Sequence, residues 1–159
     1  MDKEQLKQLL DSKDIKKDKL LHFQLKACEI VISSYGGEPS EWYFGERGNS
    51  SKFDNNKKEI YFHRVRNNRI DIVLVICDYN KSENKKIIST YKSTLSFRNI
   101  ISIDVDPEEI SIKTSFSKYN YKHLKPLTLV NEDFKKFHKV LISKFDEYCD
   151  VEYNYFKQH

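Results

Sequence analysis

Four carboxylates, Glu59, Asp71, Asp78 and Asp104, are the groups with which a small hydrolase or nuclease would activate water or hold a cation. Asp71 and Asp78 stand near the two ends of the most apolar stretch, RIDIVLVICDYN. A nuclease of this kind needs an acid followed closely by a Glu-x-Lys strand motif, and Asp71, Asp78 and Lys81 do not reproduce it. The acidic run Asp104, Asp106, Glu108 and Glu109 lacks the spacing and bend glycine of a calcium loop and reads as a solvated turn. His22, His63, His123, His138 and His159 show no HxH or HxxxH spacing, and none pairs with cysteine as a zinc site requires. Nucleophile-elbow, phosphate-loop and dinucleotide-binding patterns are missing. No catalytic residue, metal or cofactor is assigned.

The elements around the acids explain why. Residues 59–66 and 69–79 alternate with period two on either side of Asn67-Asn68, and asparagine tolerates the positive φ of a two-residue hairpin loop. That loop sets Val65 against Ile70, Arg64 against Asp71, Phe62 against Val73 and Ile60 against Val75. Arg64 and Asp71 then form a cross-strand ion pair, and His63, across from Ile72, is a packed histidine. Phe62, Val73, Val75 and Cys77 share one face, and Ile70, Ile72, Leu74 and Ile76 the other. Both faces are apolar, so the strand is central and covered on both sides, with Asp71 and Asp78 at its rims.

Around this hairpin, residues 3–10 read as a short amphipathic helix, and Ser12 or Asp14 is placed to cap a new start. Leu21, Leu25, Cys28, Ile32 and Tyr35 recur at helical spacing and end at Gly36-Gly37. Residues 87–97 form a hydroxyl-rich strand. A second hairpin turns at Asp106-Pro107, and an irregular crossing follows Lys118. Asn131 is placed to cap a last helix, in which Phe134, Phe137, Leu141, Phe145 and Tyr148 form one stripe. The aromatic tail beyond Asp150 is expected to dock on the domain. The fold class is α+β: one domain over residues 1–159, with an antiparallel meander of about five strands packed by an N-terminal and a C-terminal amphipathic helix.

Composition narrows the function classes. The chain sets 28 basic against 24 acidic residues, a mild excess spread along its length rather than the clustered charge of a nucleic-acid footprint. Its three cysteines, Cys28, Cys77 and Cys149, are an odd number within apolar runs and read as reduced core residues. With no span or export signal visible, the expected location is cytoplasmic and no membrane partner is expected.

Two surfaces remain for binding. GGEPSEWYFGERGNSS holds all four glycines and frames Trp42, Tyr43, Phe44 and Arg47, residue types that dominate interfaces. Trp42, Tyr43, Glu46 and Arg47 are the candidate protein-binding residues. In the bland alternative this segment is an edge strand whose Trp42 and Phe44 complete the core. Tyr119, Tyr121, Lys122 and Lys125 interleave rings and cations as a nucleic-acid binder does, with Arg66 and Arg69 at the hairpin end. In character, though by no motif, the chain resembles the small cytosolic immunity and inhibitor proteins of bacteria and their phages. The expectation is a non-enzymatic protein that neutralises a toxin- or effector-class protein. A nucleic-acid-associated protein and a small acid-based hydrolase or nuclease are the alternatives.

Overall fold

Helices open the chain where leucines recur at three and four. In the computed structural model, which describes residues 1–45, 57–80, 82–83, 85–106, 109–122 and 134–158, these are α1 (Lys3–Asp11), α2 (Lys13–Lys17) and α3 (Lys19–Tyr35). Asp2 caps α1 reciprocally: its carboxylate accepts from Gln5 N–H, while the Gln5 side chain accepts from Asp2 N–H. Asp18 caps α3 by accepting from Leu21 N–H, and neither Ser12 nor Asp14 does so; Ser12 precedes α2 without a side-chain bond. α3 stops where Gly36 and Gly37 take φ +80° and +85°, a region glycine enters without a Cβ penalty.

A 3-10 turn, Pro39–Glu41, leads into an antiparallel sheet ordered β1 (Tyr43–Gly45), β2 (Lys57–Val65), β3 (Arg69–Asn80) and β4 (Lys85–Ser96). The hairpin at Asn67-Asn68 has the register its sequence dictates, with Arg64 opposite Asp71 and Phe62 opposite Val73. Arg66 N–H donates to Arg69 O at 2.7 Å to close it. Among the described residues β4 is the outer strand and pairs with β3 alone, and Ile87, Ile88 and Tyr91 on it are exposed.

The expected single sheet of about five strands is corrected to two sheets, because β5 (Ile100–Asp106), β6 (Glu109–Thr114) and β7 (Lys118–Lys122) form their own antiparallel meander. The break is made by a 3-10 turn at Phe97–Asn99. Phe97 is buried there and its N–H donates to Asn68 O, which turns the chain away from the edge of the first sheet. β7 occupies the start of the expected irregular crossing. Its sequence KYNYK alternates, and Tyr119 pairs with Ile112 and packs on the core.

β3 separates two apolar clusters. On one face Phe62, Val73 and Val75 meet Leu6 and Leu10 of α1 and Leu25, Cys28 and Val31 of α3. On the other, Ile70 and Ile72 meet Ile110 and Ile112 of β6 together with Phe137 and Leu141 of α4 (Phe134–Gln158). Each such side chain stabilises the fold by about 1.5–3 kcal/mol. The tail expected to dock instead continues α4 as helix, exposed from Cys149 onward.

Candidate functional site

The acid best placed for chemistry by sequence is the most enclosed one. Asp71 is 0% exposed; its Oδ2 accepts from Arg64 Nη2 at 3.2 Å and its Oδ1 from Arg69 Nε at 3.0 Å. Arg64 Nη2 also donates to Tyr35 O at the end of α3, and its guanidinium lies 4.5 Å from the centre of the Trp42 ring. Trp42 Nε1 in turn donates to Gly36 O at 2.9 Å. Gly37 closes the assembly: a Cβ there would stand 2.7 Å from Glu41 Oε2 and 2.8 Å from Arg64 Nη1. The hairpin end, the helix terminus and the tryptophan are thus joined around a buried, paired charge, the condition under which a charge tolerates the interior.

The other acids lie apart from it. Asp78 is seven residues along the same strand, about 23 Å away at roughly 3.3 Å per residue, exposed and opposite Lys57. Glu59 is held by Lys57 at 3.1 Å, and this hydrogen bond, with the carboxylate's charge, raises the Lys57 pKa. Asp104 is exposed on β5. Asp71 therefore does not converge with the others, while Glu59 and Asp78 both act on Lys57 between them. Among the described residues no three His, Cys, Asp or Glu side chains gather as a metal requires. His63 is buried, with its ring 6.2 Å from Phe137.

The binding candidates divide. Trp42 and Tyr43 face inward: Trp42 is fully buried over Arg64, and Tyr43 packs on Phe137 with ring centres 5.1 Å apart. Over Tyr43–Gly45 the segment is an edge strand, in which Phe44 packs against Phe62 on one face and Tyr43 lies on the other. Glu46 and Arg47 lie outside the described residues. Of the nucleic-acid candidates, Arg69 is held by Asp71, Tyr119 is half-buried, and Arg66 is exposed beside a cleft of about 370 Å³ bordered by Glu41, Arg64 and Asn67. The side chains of Tyr121 and Lys122, and all of Lys125, lie outside the described residues.

The aromatic tail, expected to dock, instead forms an exposed surface at the far end of α4. Val151, Tyr153, Tyr155 and Phe156 are 67%, 65%, 58% and 75% exposed. Phe156 lines a groove of about 450 Å³ with Phe97, Arg98, Phe145, Tyr148 and Glu152. Phe97 meets Phe145 and Tyr148 edge-on at 5.6 and 5.7 Å, forming the closed end of the groove. Partial burial, then the charge of Glu152, raises the Tyr148 pKa, with Arg98 acting in the opposite sense. Ile101 and Phe116 are also strongly exposed. The Phe116 turn is tied to the groove wall by Ser115 N–H donating to Asn99 O.

No family model, no curated protein and no solved structure matches this chain. Among the described residues no helix is long and apolar enough to cross a membrane.

Proposed function

We propose that this protein is a non-enzymatic binding module that recognises a partner protein through the far end of α4. In character it sits with the immunity and inhibitor class, and its partner would be of the toxin or effector kind. The single observation that carries this reading is the exposure of Val151, Tyr153, Tyr155 and Phe156 on one helix end, where Phe156 borders a groove lined by aromatic side chains, Arg98 and Glu152. With Ile101 and Phe116 these side chains expose on the order of 800 Å², taking about 200 Å² for a large side chain fully in water. Spread around one helix end, this much exposed apolar surface marks an interaction site. The enclosure of Asp71 supports the non-enzymatic part, since its oxygens are already engaged by two arginines.

The test is affinity capture from native lysate with the wild-type chain and with a Val151→Ala, Phe156→Ala double variant. Both substitutions sit in solvent and leave the cores intact. One stoichiometric protein partner, captured by the wild type and lost by the variant, is the expected result. Equal capture by both removes the α4 end from the account. Capture of nucleic acid that weakens steeply with salt would favour the nucleic-acid alternative.

A further inference from the structure

β4 runs for 12 residues and, among the described residues, pairs along one side alone, so the backbone N–H and C=O groups of its other side meet no strand. Its side chains alternate. Ile88 and Lys92, opposite Cys77 and Val73, take the face beneath α3, and Lys86 shares that face two residues before Ile88. Ile87 and Tyr91, opposite Asp78 and Leu74, take the other face. Ile87, Ile88 and Tyr91 are each close to half exposed or more. An edge guarded only for solubility carries charge at such positions. Isoleucines left in water on both faces of one strand mark a surface that another chain covers.

The charges select the cover. β4 has no acid, and on its α3 face its charges are Lys86 and Lys92. Among the described residues neither lysine forms an ion pair, and Lys92 rests over the Tyr35 ring at 5.6 Å. Asp71, the acid of β3 on this face, is already held by Arg64 and Arg69, and Lys58 of β2, opposite Cys77, adds a further cation. Glu59 and Asp78 lie on the other face, where Lys57 stands between them. A second copy laid edge to edge would bring the same lysines and no acid. Carboxylates spaced to meet Lys86 and Lys92 would be drawn in.

We infer that β4 takes an added strand from a partner protein: an extended segment with two acidic side chains six positions apart, as Lys86 and Lys92 are, and apolar side chains that cover Ile87, Ile88 and Tyr91. This surface is separate from the α4 end, so either can fail without the other.

Three fluorescein-labelled peptides of 12 residues, the length of β4, test it by anisotropy against the full chain. The first sets glutamate, valine, two threonines, two valines and glutamate within a threonine background. The second has lysine for both glutamates, and the third keeps the glutamates but has proline for the two central threonines. The acidic peptide should bind at least about 10-fold more tightly than the basic one, and the double change Lys86→Glu, Lys92→Glu should reverse that order. The proline peptide has the same charge and no central amide to donate, and should bind at least about 10-fold more weakly than its parent. Equal affinity for the acidic and basic peptides, or an order that the double change leaves as it was, overturns the charge pairing. Equal affinity for the proline peptide and its parent overturns the added strand. The Val151→Ala, Phe156→Ala chain should bind the acidic peptide as the wild type does; a loss there would place the peptide on α4 and overturn the inference. It falls as well if the acidic peptide does not bind, whether the edge stays open or a second copy fills it.

Discussion

The two ends of β3 each carry an aspartate and treat it in opposite ways. At the hairpin end Asp71 is sealed from solvent and held by two guanidinium groups, one of them stacked on Trp42. At the far end Asp78 is exposed, with Lys57 across from it on β2 and Ile87 on β4. Residue type and strand are the same; depth differs. An acid beneath the Gly36-Gly37 turn can keep its charge only if its lone pairs are matched, whereas one at the rim is matched by water. The same contrast separates the two halves of α4, where Phe137 and Leu141 are buried and Phe156 is not.

The largest effect should come from breaking the sealed end. Asp71→Ala leaves the Arg64 charge buried without its carboxylate and should cost about 3–5 kcal/mol in urea unfolding. The double change Arg64→Met, Asp71→Leu should cost less than Asp71→Ala alone, because no charge is then stranded. Asp78→Ala should stay within about 0.5 kcal/mol. Equal losses for Asp71→Ala and Asp78→Ala would erase the contrast. A smaller effect is expected at the turn over the Arg64–Asp71 pair. Gly37→Ala combines φ +85° with a Cβ 2.8 Å from Arg64 Nη1 and should cost about 1–3 kcal/mol. An unchanged urea midpoint would mean that the turn can shift away from the guanidinium.

The finest measure is thiol chemistry. Burial, then the charge of Glu29, pushes the Cys28 thiol up to about 12 from an ordinary 9.0. The folded state therefore holds that proton more tightly than the unfolded chain does. Its contribution to stability is complete below pH 9.0 and is lost as pH rises toward 12. At neutral pH, labelling with a chromogenic disulfide should be fast at exposed Cys149, slower at half-buried Cys77 toward the open end of β3, and limited by unfolding at Cys28. Rapid labelling of Cys28 would contradict its place in the core.

The hairpin was legible to the residue because two local signals agree: Asn67-Asn68 fixes the loop, and an alternation of period two allows only one register across it. The two long helices were legible from their stripes. Two things were not. Phe97 scans as the last apolar position of a strand, and nothing nearby in sequence announces that it bonds back to Asn68 and divides the sheet. The exposed end of α4 has the same aromatic periodicity as its buried half, so spacing alone predicts a docked segment; cover depends on where the sheets end in space. The burial of Trp42 was legible only as an alternative, because a tryptophan between glycines suits an interface as well as it suits a stack on Arg64. KYNYK did carry its strand signal, in the alternation of Tyr119 and Tyr121, hidden among lysines.

β4 leaves its outer row of amides and carbonyls without a strand partner among the described residues. Such a row is a template on which another chain can crystallise into a growing fibre. Lys85, Lys86 and Lys92 stand along it with no acid on the same strand. Two copies sliding together edge to edge in a crowded solution would bring cation toward cation, so stacking through this strand is discouraged without any change to the interior.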